Sequence, residues 1–139
     1  MKKTTRTLLA FDERQLETIS KLKVAFAGED KQDISNKDLM MIAIGIGFSA
    51  KNKLSDFKRS NTGVRMEYFK PEDNALFAAL QVSETNEAAS LLEIEELYNL
   101  AEKYAAGGIG ILAEAFEKER DFHDWFHAYI YSSLTELNV

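Results

Sequence analysis

Residues 35–48, SNKDLMMIAIGIGF, set the terms on which the remainder of the chain can fold. After Asp38 come ten uncharged residues, Leu39 to Phe48, apolar on every side of a helical wheel. A helix of that kind has no face to offer water, so other elements or a partner chain must wrap it. Ser35 and Asn36 are good N-caps, and Asp38 suits the positive end of the helix dipole. Ten apolar residues are too few to cross a bilayer. Gly45 and Gly47 each cost roughly 1 kcal/mol against alanine inside a helix. They are tolerable where another backbone must come close.

Working outward, the 139 residues suffice for one domain with a real core. The chain is 45% hydrophobic and 29% charged, ordinary for a soluble globular protein. A single proline among long helix-forming runs predicts a mainly α fold. We expect a compact bundle of about five or six helices, with one or two short strands near the N-terminus and mid-chain. The absence of cysteine excludes disulfides, thiol nucleophiles and cysteine-based zinc sites, and fits a cytoplasmic protein. The N-terminus, MKKTTRTLLAFDERQ, begins like a signal peptide, but its apolar run is only LLAF before charge returns, so export by that route is not expected.

Charge is unevenly spread. Residues 1–60 hold 12 Lys/Arg against 8 Asp/Glu, and residues 61–139 hold 5 against 15. The net is +4 in the first part and −10 in the second. The basic part could meet an acidic partner, while the acidic part would repel nucleic acid. Chance variation along a helical surface would give the same imbalance.

Thr4 to Phe11 leans towards β-structure, with Asp12 as the N-cap of a helix from about Glu13 to Phe26. Leu16, Ile19, Leu22 and Phe26 recur there at helical spacing. Ala50 to Gly63, AKNKLSDFKRSNTG, is polar and aperiodic and reads as a loop. Val64 to Phe69 alternates and could be a strand. Pro71-Glu72-Asp73 opens a helix running to about Val82, which buries Leu76, Phe77 and Leu80. A fourth helix carries Ile94, Leu97, Tyr98, Ala101 and Tyr104, and the glycines at 107, 108 and 110 predict its end in a tight turn. A fifth helix would start near Ile109. The last has the clearest amphipathic pattern, with Phe122, Trp125, Phe126, Tyr129 and Ile130 on one face.

His123 and His127 stand at i,i+4, the spacing of two helical metal ligands, with Glu119 one turn earlier. Asp124 stands where a zincin's general-base Glu belongs and no fourth ligand is evident, so solvent-facing or interface histidines are expected, and no metal. GGIG at 107–110 lacks the Lys-Ser/Thr of a phosphate loop. The aromatic set around Trp125 could stack nucleobases, but its helical spacing and its neighbours Glu117, Glu119, Asp121 and Asp124 favour core or protein interface. Glu93, Glu95 and Glu96 read as a solvated helix face. No Ser/His/Asp arrangement has local support, and neither a catalytic residue nor a cofactor nor a small-molecule substrate is expected.

In segment order, the first sixty residues resemble ribbon-helix-helix DNA-binding proteins, in which two chains pair strands and lay the ribbon in the major groove. That resemblance implies a homodimer, with Lys3, Thr5 and Thr7, or Thr4 and Arg6 in the other register, facing DNA. A wider resemblance rests on KDLMMIAIGIGF (37–48), RMEYF (65–69), ALFAALQVSET (75–85) and LAEKYAAGGIGIL (100–112). These segments are similar to the DNA phosphorothioation (Dnd) system-associated protein 4 family. It implies a role in a bacterial defence island that marks self DNA with sulfur, and carries over no catalytic residue. Two expectations result. One is a non-enzymatic adaptor that binds itself or a larger defence-system protein through Leu39, Ile42, Ile46, Trp125, Phe126 and Tyr129. The other is a regulator that binds DNA through Lys3, Thr5, Arg6 and Thr7.

Overall fold

A computed structural model describes residues 6–27, 34–85 and 93–137, with no side-chain account of residues 85 and 133–137. Within these the order is β1 (Leu8–Asp12), α1 (Leu16–Ala27), α2 (Asn36–Ser49), β2 (Arg59–Arg65), α3 (Asn74–Thr85), α4 (Ile94–Lys118) and α5 (Phe122–Leu137). Short 3-10 turns occupy Glu13–Gln15, Met66–Tyr68 and Pro71–Asp73. Among the described residues the fold is mainly α with one antiparallel strand pair, as the composition predicts.

The apolar helix lies at the centre. Ser35 caps α2, its Oγ accepting the Asp38 N–H at 3.0 Å. Leu39, Met40, Ala43, Ile44, Ile46 and Gly47 are buried, and no residue from Leu39 to Phe48 is exposed. The cover comes from the chain itself. α4 runs alongside, contributing Leu97, Leu100, Ala101, Tyr104, Ala105, Ile109 and Leu112 to the same core.

How closely α2 and α4 approach is written in their glycines. A Cβ on Gly47 would meet the Tyr104 carbonyl oxygen at 2.0 Å, and one on Gly108 would meet the Ala43 oxygen at 1.8 Å. Gly107 faces the Asn52 carbonyl in the same way, at 1.9 Å. Here the expectation of a turn is corrected. α4 is continuous over Ile94–Lys118, and the predicted fourth and fifth helices are one. Gly107 and Gly108 do not end a helix; they let two backbones touch. Of the pair on α2, Gly47 has this role and Gly45 does not, since nothing lies within 4 Å of its added Cβ.

The strands need two further corrections. β1 is not the open strand that a ribbon-helix-helix pairing between two chains implies: Leu9, Ala10, Phe11 and Asp12 are all buried. Its neighbour is β2 of the same chain, in the register Leu9↔Val64 and Ala10↔Gly63. β2 begins inside the stretch expected to be a loop, at Arg59, and takes in only the first two residues of the expected strand, Val64 and Arg65; Met66–Tyr68, expected to be extended, is a 3-10 turn. The strand lacks apolar alternation because polar groups replace it. Ser60 Oγ donates to the Phe11 carbonyl at 2.8 Å, and Gly63 sits against the Leu9 carbonyl, where a Cβ would come within 2.1 Å.

α3 follows Pro71 as expected, with Phe77 and Leu80 buried and Leu76 partly so. Edge-on contacts of Phe77 with Phe69 (5.6 Å) and Tyr98 (5.7 Å) tie it to α4. α5 docks by its first turns, where Phe122 and Phe126 meet the Phe26 ring of α1 edge-on at 5.1 and 5.0 Å. Among the described residues no helix is long and apolar enough to cross a membrane.

Candidate functional site

Two features stand out from the packed core: a cluster of charged side chains around Glu102, and the outer face of α5. They differ in what they leave available.

Glu102 lies on the inward side of α4, 2% exposed, between Tyr98 and Ala105. A carboxylate so buried must be paired and hydrogen-bonded. Arg6 Nη1 lies 2.9 Å from its Oε1, and Arg59 pairs with Oε2. Oε2 also accepts the Ala10 N–H at 2.7 Å. Arg59 donates in addition to the Leu8 carbonyl, while Arg6 reaches Glu95 (3.0 Å) and Asn99. Side chains of α4 and β2 thus hold backbone groups of β1 directly. A second strand could pair at Ala10 only by displacing Glu102. Glu95, expected to be a solvated acid, is one of the groups that fasten Arg6.

Asp12 closes the other end of β1. Its fully buried carboxylate accepts the Arg14 N–H at 2.8 Å, as an N-cap should, and the Lys58 N–H at 2.9 Å. Arg14 adds Nη2 at 2.9 Å and continues to Asp56 at 3.2 Å. Burial alone would push this carboxyl up. The Arg14 guanidinium and the two backbone N–H groups outweigh it and hold Asp12 below the usual carboxylate range. A carboxyl lower in the folded than in the unfolded chain contributes stability that is fully present above the unfolded value, about 3.9. That contribution disappears as pH falls through the folded value. Asp12→Asn should therefore lower stability at pH 7 by about 2 kcal/mol, the scale of hydrogen bonds to a charged group. It should also flatten the loss of stability below about pH 4, where the unfolded carboxyl titrates. Urea unfolding at pH 7 and pH 3 checks both parts. Asp56→Asn, at a 73% exposed side chain, should do much less at either pH.

Beside the Glu102 cluster opens a cleft of about 230 Å³, lined by Lys53, Glu84, Glu96, Asn99, Leu100 and Lys103. Lys53 Nζ lies 3.0 Å from Glu84 Oε1, and this hydrogen bond raises the lysine above its ordinary value. An ammonium held protonated in this way is a poor nucleophile at neutral pH.

The sequence-derived candidates divide accordingly. Lys3 and Thr5 lie outside the described residues. Arg6 is bound into the Glu102 cluster, its side chain 11% exposed, and Thr7 is exposed with its carbonyl accepting the Met66 N–H. Leu39 and Ile46 are core residues and Ile42 is half-buried, so these three do not form an outer surface. Trp125, Phe126 and Tyr129 do come together on α5. Trp125 stacks on Phe122 at 5.8 Å and approaches Tyr129 at 5.3 Å. All three are partly covered, and Phe116, Ile130 and Tyr131 nearby are 40%, 38% and 74% exposed. His123 and His127 are both exposed on α5. Glu119 is the C-cap of α4 with an extended backbone, so it does not continue their helical face as the spacing suggested. Among the described residues no three His, Asp or Glu side chains converge as a metal site.

Sequence reasoning missed Glu102 and Arg59. The available signal was a lone carboxylate between Ala101 and Tyr104 on an otherwise apolar face. Its arginine partners, 43 and 96 positions away, have no local signature.

The family model described as DNA sulphur modification system-associated protein 4 matches residues 15–136. No curated protein and no solved structure matches the chain.

Proposed function

The chain belongs to the DNA sulphur modification system-associated protein 4 family, and from that premise we propose that it is a non-catalytic accessory protein of a phosphorothioation-linked anti-phage defence system. It acts in the cytoplasm by binding another component of the system. The observation that carries this reading is the partly uncovered aromatic face of α5, alongside charged groups that hold the fold. Glu102 and Asp12 use their acceptor capacity on β1 and on the loop before β2. Aromatic side chains with one covered and one open side are the usual anchors of protein interfaces.

The test is co-expression of the tagged chain with the complete set of DNA sulphur modification genes, followed by purification at moderate salt. One of those gene products should accompany it in a fixed ratio. Elution of the chain alone would defeat the adaptor reading. So would a DNA complex whose affinity falls steeply between about 50 and 200 mM salt, the mark of phosphate contacts. That second outcome would favour a DNA-binding regulator.

A further inference from the structure

We infer that the outer face of α5, with the end of α4, is a docking site for a partner segment that carries an apolar stripe flanked by lysine and arginine. The inference rests on the adaptor reading and adds the chemistry of the partner. It starts from how α5 is held. Phe122 and Phe126 point into the molecule against Phe26, and Phe116 packs edge-on against Phe122 at 5.9 Å. Trp125, stacked on Phe122, and Tyr129 continue this aromatic row outward without being fully covered. Phe116 and Ile130 extend it on either side as exposed apolar groups.

The surrounding charge selects the occupant. Glu114, Glu117, Glu119, Asp121 and Asp124 are all exposed on the corner between α4 and α5, against only Lys118 and Arg120. Lys118 is engaged by Glu114 at 2.6 Å. An apolar patch inside an acidic rim disfavours a second copy placed face to face, because a two-fold interface would bring the two acidic corners together. A cationic rim on the partner removes that repulsion and steers the encounter. Asp121 is needed within the chain, since its side chain accepts the Asp124 N–H at the start of α5; Glu117 and Asp124 are exposed, and a lysine at Asp124 costs only its interaction with the first turn of the helix.

The chain carries its own reporter, because Trp125 is its single tryptophan. The full-length protein is titrated with two synthetic helical peptides of the same leucine stripe, one flanked by lysine and one by glutamate. The lysine peptide should shift Trp125 emission to the blue with a dissociation constant on the order of micromolar, and the glutamate peptide should not. Ile130→Ser should weaken binding at least tenfold, and so should Glu117→Lys combined with Asp124→Lys. Both variants keep the buried Phe122–Phe26 contact, and circular dichroism confirms their folding. Equal response to the two peptides, or unchanged affinity in either variant, would overturn the inference. A concentration-dependent blue shift of the chain alone, with a dimer mass, would overturn it in favour of a second copy. The two proposals fail separately. A system component that still co-purifies with the Ile130→Ser, Glu117→Lys, Asp124→Lys protein removes this face and leaves the adaptor reading standing. A parent chain that elutes alone but binds the lysine peptide does the reverse.

Discussion

Gly108→Ala should destabilise the protein by about 3 kcal/mol or more, at or beyond the upper end of ordinary overpacking, whereas Gly110→Ala should stabilise it slightly. The two positions lie on the same helix with only Ile109 between them, and composition cannot distinguish them. Geometry does. A methyl on Gly108 would overlap the carbonyl oxygen, carbon and Cα of Ala43, all backbone atoms of α2. No rotamer change relieves such an overlap, so α2 and α4 would have to separate along the core they share. On Gly110 nothing lies within 4 Å, so the alanine recovers helix propensity, about 0.5–1 kcal/mol, without a clash. In a chain of this size the first change corresponds to a fall in Tm of roughly 10 °C and the second to a rise of a few degrees. Thermal unfolding followed by circular dichroism measures both. If the two alanines behaved alike, the direct contact between α2 and α4 at Gly108 would be wrong, and a turn at 107–110 would have to be reconsidered.

These glycines also show what could be read from the chain and what could not. Residues Leu39 to Phe48 announced a buried helix, because no face of that segment can be hydrated; the structure places it at the core with Ser35 as its cap. The Pro71 helix start and the Asp12 cap were legible for a similar reason, since each depends on residues within a few positions. The 107–110 run was misread because a glycine required by a neighbouring backbone looks the same as one required by a turn. Only the partner, Ala43 or Asn52, decides between them, and it is more than fifty residues away. β2 was hidden because Val64 is its one buried apolar side chain, the covered positions before it carrying Ser60, Thr62 and Gly63. Of the candidate site, the aromatic periodicity at 122, 125, 126 and 129 was visible, and the structure brings those residues together on α5. The proposed role of Leu39 and Ile46 came from the same apolarity that buries them inside this chain, where they serve α4.

Glu102→Ala should give the second large loss, about 3 kcal/mol, the lower end of the range for breaking a buried ion pair by removing one partner. The lower end applies because the two arginines differ in their access to water. The Arg59 side chain is 41% exposed and can be rehydrated, whereas that of Arg6 is 11% exposed and would lose its deepest anion. Arg6→Ala should accordingly couple more strongly to Glu102→Ala than Arg59→Ala does in double-mutant cycles. Glu102→Gln separates charge from hydrogen bonding. Its amide oxygen can still accept the Ala10 N–H, so amide exchange at Ala10 should stay slow in Glu102→Gln and become fast in Glu102→Ala. Loss of the carboxylate also reopens β1 as an edge at which another chain could pair. Glu102→Ala should therefore self-associate with rising concentration in sedimentation experiments, while the parent chain and Glu102→Gln should not do so through this strand. If Ala10 exchanged equally fast in the parent chain and in Glu102→Ala, the carboxylate would not be what closes that edge.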